Sequence, residues 1–122
     1  MLDIAQSEHD IQSTLIEWAT WNSHRYPELS LLFAIPNGGI RDAITGKRLK
    51  EEGVKKGVPD LLLPIPKQNY HGLFIEMKRP KAKLSPVQKQ WHDKLLEQGY
   101  QVKTCYSTNE AIATIKEYLE ID

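Results

Sequence analysis

Two stretches decide the reading of this chain: Gly57-Val58-Pro59-Asp60-Leu61-Leu62-Leu63-Pro64-Ile65 and Gly72-Leu73-Phe74-Ile75-Glu76-Met77-Lys78. The first predicts a strand from about Asp60 to Ile65 and the second a strand from about Leu73 to Lys78. The polar connection Lys67-Gln68-Asn69-Tyr70-His71-Gly72 is short enough for a hairpin, so the pair is expected to be antiparallel. The second run is apolar on both faces apart from Glu76 and Lys78, as in a central strand covered on both sides. Charges do not belong there by default. Side chains alternate along a strand, so Glu76 and Lys78 project from one face near the strand's end. Asp60 opens the neighbouring run directly after Pro59, which places three ionisable groups at one edge of the sheet. Two carboxylates held together raise each other's pKa unless a cation intervenes. Oxygen ligands from Asp and Glu suit a hard divalent ion such as Mg²⁺ or Mn²⁺. The alternative is an ordinary salt bridge between Glu76 and Lys78 on a half-exposed strand.

Upstream, Ser7 and Asp10 have the spacing of a capping box, and a helix is predicted from there to about Asn22 with Ile11, Leu15, Trp18 and Ala19 inward. Residues 31 to 36 read as a strand stopped by Pro36. Asn37-Gly38-Gly39 reads as a turn or loop, and a short helical stretch is expected around Gly46 to Glu52. Downstream, Ser85-Pro86-Val87-Gln88 looks like a helix start, with the helix ending at Gly99. A further strand is expected over residues 100 to 106. Ser107 or Thr108 then caps a last helix bearing Ala111, Ile112, Ile115, Tyr118 and Leu119. If the strands flanking the Ser85 to Gly99 helix lie parallel, that helix is a right-handed crossover. The fold class is therefore α/β, a mixed central sheet flanked by helices.

Composition sets the bounds. The chain has 122 residues, 40% apolar and 26% charged, which suits one domain over residues 1–122. The single cysteine, Cys105, excludes an internal disulfide and a cysteine-based zinc cluster, and suits a reducing cytoplasm. No apolar run approaches the roughly 20 residues that span a bilayer, so no membrane association is expected. Neither G-x-x-x-x-G-K-[ST] nor G-x-G-x-x-G occurs, so a nucleotide cofactor lacks support.

Sixteen basic residues cancel sixteen acidic ones, but not evenly. Residues 1 to 30 hold five acids against Arg25, and residues 95 to 122 hold five against Lys103 and Lys116. Residues 41 to 56 carry six basic residues against three acids, and residues 78 to 94 carry six against Asp93. If those two basic segments share a face they form a phosphate-binding surface on a neutral protein. Otherwise they are solvated lysines on loops and helix exteriors.

Other polar residues occupy telling positions. Glu8 and Gln12 are four apart and share the inward arc of the first helix, although Glu8 also suits the helix dipole and Gln12 the edge of a core. Gln88 is placed to complete a capping box, so capping and chemistry compete for it. His9, His24, His71 and His92 lack ligand spacing and read as surface or packing residues.

Taken in order, Glu8 and Gln12, Pro36-Asn37-Gly38-Gly39 with Arg41, GVPDLLL, FIEMK and LSPVQKQW resemble the VRR-NUC domain, a branch of the PD-(D/E)xK nuclease superfamily. The likeness extends from about Ser7 to Ala111. It implies a restriction-endonuclease-like αβββαβ core and a metal-dependent phosphodiesterase acting on DNA. By that resemblance Asp60 and Glu76 hold Mg²⁺ or Mn²⁺ together with the main-chain carbonyl of Met77. Glu8 joins directly or through water, Lys78 orients the attacking water, and Gln88 positions phosphate, water or lysine. Gln12, Asn37, Gly38, Gly39, Arg41, Lys47, Lys50, Lys81 and Lys83 are the candidate DNA contacts, which position DNA rather than read its sequence. Small nucleases of this superfamily resemble Holliday-junction resolvases, so the expected substrate is branched DNA, a junction or flap, cut by a homodimer. Trp18, Trp21 and Trp91 are candidates for the dimer interface, with core packing as the alternative. A nuclease-like module that binds nucleic acid without cutting is the competing reading. An exonuclease or restriction-type enzyme is a third.

Overall fold

The hairpin expected from the two apolar runs is the centre of the molecule. The computed structural model describes residues 6–37 and 43–122. In chain order it contains α1 (Glu8–Asn22), a 3₁₀ segment (Pro27–Leu31), β1 (Phe33–Ala34), α2 (Ala43–Glu51), β2 (Leu61–Leu63), β3 (Leu73–Met77), α3 (Pro86–Glu97), β4 (Gln101–Cys105) and α4 (Thr108–Leu119). The sheet runs β1-β2-β3-β4. Strand β2 is antiparallel to both β1 and β3, whereas β3 and β4 are parallel with α3 as their connection. This is a mixed sheet with the αβββαβ order, α2 being inserted between β1 and β2.

Alternation along β3 separates two faces. Leu73, Ile75 and Met77 point to one side with Leu61 and Leu63 of β2. There they join Ile11, Leu15 and Ala19 of α1 and Ala111, Ile115 and Leu119 of α4 in one core. Phe74 and Glu76 point to the other side, toward α3, and the Tyr100 ring meets Phe74 edge-on at 5.1 Å. All five residues of β3 are buried, as a doubly covered strand requires.

Serines start the helices that flank the sheet. Ser7 and Ser85 each close a complete capping box, with Asp10 and Gln88 respectively. Ser107 caps α4 by accepting from the Glu110 N–H. Thr108 instead donates its hydroxyl to the Ile11 carbonyl at 3.0 Å, which ties α4 to α1.

Three expectations need correcting. The strand read over residues 31 to 36 shrinks to Phe33–Ala34, both exposed. Pro27 presets a 3₁₀ turn that takes up Leu31, and Leu29 and Leu32, three apart, turn into the core instead. The short helix begins earlier than Gly46, at Ala43, and buries no side chain. Trp18 lies half-buried at the margin of the core rather than inside it. Of the other tryptophans, Trp91 packs on Gly57, where a Cβ would stand 3.0 Å from its ring, while Trp21 is 78% exposed.

The hairpin tip is built with care. Lys67 and Tyr70 pair across Gln68 and Asn69, whose φ values of 53° and 70° match a type I′ turn. Below the turn the pairing shifts by one, because Leu63 pairs with Leu73. Residues 64–66 on the first arm therefore face residues 71–72 on the second, a bulge framed by Pro64 and Pro66, which have no N–H to give a ladder. Helix α4 fastens this region. The Tyr118 hydroxyl donates to the Ile65 carbonyl at 2.6 Å, and the Gln68 amide donates to the carbonyls of Glu117 and Tyr118 at 3.0 and 2.9 Å.

Candidate active site

Register brings the two acids together. Leu61 pairs with Ile75, so one step further the same antiparallel register sets Asp60 opposite Glu76 on the α3 side of the sheet. Glu76 is 1% exposed, and Asp60 is half-buried. Both oxygens of Asp60 are held by neutral donors. The Met77 N–H donates to Oδ2 at 2.7 Å, and the Asn37 amide donates to Oδ1 at 3.2 Å. The main chain reaches Asn37 in position because the Ile35 N–H donates to the Asp60 carbonyl at 2.7 Å. Glu76 turns its Oε1 to the Nε2 of His92 at 3.3 Å.

This arrangement changes the acidity of both groups. Burial, then the neighbouring Glu76 carboxyl, push the Asp60 carboxyl up to about 7, against a smaller pull from the Met77 N–H and Lys78. Burial also raises Glu76, offset in part by its bond to Asp60 and by Lys78. Lys78 follows β3 directly, its N–H donating to the Cys105 carbonyl at 2.9 Å. Its ammonium favours the ionised form of both acids from a distance, and among the described residues it closes no ion pair with either. Glu8, at the start of α1, accepts from the Arg79 N–H at 3.4 Å and adds its charge to the field that raises Glu76. Among the described residues no three His, Cys, Asp or Glu side chains close into a metal-sized group. The direct side-chain charge at the site therefore comes from two acids. Two facing carboxyls that burial holds toward the protonated form make an all-oxygen donor set that a hard divalent cation would discharge, and the residues present fit such an ion.

The remaining candidates divide by position. Gln88 spends its side-chain carbonyl on the Ser85 N–H at 2.8 Å, so capping is realised and the amide nitrogen is the part left to donate elsewhere. Gln12 is half-buried on α1. Lys81 and Lys83 are exposed in the segment that leaves Lys78. Lys47 and Lys50 are exposed on α2, where Lys47 approaches Glu51 at 3.9 Å, a surface contact that leaves the ammonium largely available. Gly38, Gly39 and Arg41 lie outside the described residues. Asn37, read from sequence as a DNA contact, has its side chain on Asp60. His92, read as a packing residue, is 9% exposed and faces Glu76. A signal for His92 existed: it follows Gln88 by four residues, so the two share one face of α3.

Comparison with known proteins agrees with this fold. The family model of the VRR-NUC domain matches residues 3–109. A solved structure described as "VRR_NUC domain protein" superposes with a TM-score of 0.81 at 26% identity, covering 98% of this chain and 93% of that one. A second, described as "VRR_NUC domain", shares the fold with a TM-score of 0.53 at 21% identity, covering 87% of this chain and 95% of that one. No curated protein matches the chain in sequence. Among the described residues no helix is long and apolar enough to cross a membrane.

Proposed function

The chain belongs to the VRR-NUC family, and from that premise we propose that it is a Mg²⁺- or Mn²⁺-dependent endonuclease that hydrolyses phosphodiester bonds in DNA. The observation that carries the proposal is the facing pair of half-buried Asp60 and buried Glu76, both raised by burial, with Lys78 two residues beyond Glu76 on the same face.

In this reading Asp60, Glu76 and the Met77 carbonyl hold the ion, with Glu8 at its outer edge. Such an ion supplies charge for the phosphoryl oxygens and makes nearby water more acidic. The protein's own groups do the rest. Asn37 and the Met77 N–H fix both oxygens of Asp60, so the carboxylate does not reorient as charge develops. Lys78 brings a positive charge to the acids without being neutralised by either, which lets it orient a water for in-line attack and favour loss of its proton. Gln88, anchored by its cap, offers an amide N–H to phosphate or water.

DNA is held by the basic segments. Arg79, Lys81 and Lys83 follow Lys78 in sequence. Helix α2 begins six residues after Asn37, so its first residue lies within about 20 Å of Asn37, with Lys47 and Lys50 about one and two turns further along the helix. The finer proposal is that the substrate is branched DNA, a junction or flap, gripped by two copies of the chain.

The test is cleavage of labelled four-way junction, flap and linear duplex with Mg²⁺ or Mn²⁺, using wild type, Lys78→Ala and Asp60→Asn. Metal-dependent cutting lost in both variants is the expected result, with branched substrates cut faster than duplex. Equal cutting of all substrates removes the branched-DNA proposal. Equal binding with no cutting by any of the proteins returns the nuclease-like binding module.

A further inference from the structure

We propose that His92 is a positioning residue that sets the Glu76 carboxylate for metal binding by donating its Nε2–H to Oε1. The inference rests on the metal-site reading above and extends it to a residue of α3.

The acid pair is supported unequally along its two halves. Asp60 is fixed twice, by Asn37 and by the Met77 N–H. Glu76 has a longer and more flexible side chain, is almost wholly enclosed, and projects from the central strand toward α3. Its partner on that helix is the His92 ring at 3.3 Å. Once an ion is bound Glu76 is a carboxylate with no proton to give, so the ring nitrogen facing it must then be the donor, which requires the Nε2–H tautomer. The ring is itself 9% exposed, and the capping box at Ser85 fixes the start of the helix that carries it. A donor enclosed on a capped helix holds one Glu76 oxygen and leaves the other for the ion. It also limits the entropy lost when the ion binds.

Charge at His92 is a separate matter from its place. Burial lowers its affinity for a proton, the first of the influences on it, and Lys78 acts in the same direction. Asp93 and Asp60 oppose them. Outer partners of metal ligands typically contribute about 10–100-fold to metal affinity, and the same range is expected here.

The test uses the full chain and Mn²⁺ alone, titrated calorimetrically into wild type, His92→Phe, His92→Gln and Asp60→Asn. Phenylalanine keeps a ring in the space but cannot donate, whereas the Gln amide nitrogen reaches close to the position of Nε2. His92→Phe is expected to weaken Mn²⁺ binding by about 10–100-fold, and His92→Gln to restore it to within about threefold of wild type. In steady-state cleavage the Phe variant should need more Mn²⁺ while approaching the wild-type kcat at saturation. Long-range ¹H–¹⁵N NMR of the wild-type protein with Mg²⁺ at pH 8 should show the Nε2–H tautomer of His92, a readout that does not depend on any variant folding. Equal Mn²⁺ affinity in all three His92 proteins, with binding still lost in Asp60→Asn, overturns the role of His92 and leaves the metal site standing. The Nδ1–H tautomer does the same. Absence of Mn²⁺ binding by wild type overturns both readings.

Discussion

Asp60→Asn should make the metal-free protein more stable with increasing pH relative to wild type, although it removes a residue proposed to be essential. In the folded protein the Asp60 carboxyl is pushed from 3.8 to about 7 by burial and by Glu76. Between those values the folded protein holds a proton that the unfolded chain has released, so this group's contribution to stability falls as pH rises from about 4 to about 7 and levels off above. From pH 5 to pH 8 the full shift corresponds to a loss of about 3 kcal/mol, and water reaching half-buried Asp60 reduces this to about 1–2 kcal/mol. Asparagine does not titrate and lacks that slope. It also turns an amide nitrogen toward either the Asn37 amide or the Met77 N–H, a pH-independent cost of about 1 kcal/mol. Urea unfolding in EDTA at pH 5 and pH 8 separates the two effects. The stability of the variant relative to wild type should rise by about 1–2 kcal/mol across that interval. Added Mn²⁺ should stabilise wild type at pH 8, less so below pH 6 where protons compete for Asp60, and should leave the variant unchanged. A stability difference that is the same at both pH values, or that moves the other way, refutes the description of Asp60 as a carboxyl raised by burial and by Glu76.

Two further outcomes test the surroundings of the site. Replacing Lys47 and Lys50 together by Ala should weaken DNA binding and flatten the slope of log K against log[salt] by about 2, with single-turnover cleavage at saturating protein unchanged; fluorescence anisotropy across a salt series measures the slope. Tyr118→Phe removes the donor to the Ile65 carbonyl and should cost about 1–3 kcal/mol in urea unfolding, with a lower cleavage rate because the hairpin that carries Asp60 is less firmly held.

Most of the fold was legible because its signals are local. Capping serines, alternation and the apolar runs mark α1, β2, β3, α3 and β4 without reference to anything distant. The 3₁₀ segment was not legible, since residues 27–36 read equally as an extended apolar run until Leu29 and Leu32 find the core. The candidate site was legible in its residue types, because Asp60, Glu76 and Lys78 are charges placed where an apolar strand should continue. Its supporting contacts were not. Asn37 meets Asp60 across 23 positions and His92 meets Glu76 across 16, distances that no periodicity encodes. Gln88 shows the opposite limit: the sequence offers two roles, and the structure shows that its carbonyl end has taken the cap.

The bulge at residues 64–66 has a consequence for how this hairpin can change in length over evolution. Extended as a regular ladder through every residue, with no bulge, the pairing of Lys67 with Tyr70 would set Asp60 opposite Met77 and Leu61 opposite Glu76. Asp60 would then be aimed into the leucine-rich core beneath the sheet, and Leu61 would take its place beside Glu76. Residues added in matched pairs, one on each arm, would lengthen the hairpin and leave the acids facing each other. Deletion of Ile65 would even the two arms and leave Asp60 opposite Glu76, whereas straightening the bulge with all its residues kept would separate the acid pair without altering any acid, so the register of a loop far from the chemistry acts as an inherited constraint on it.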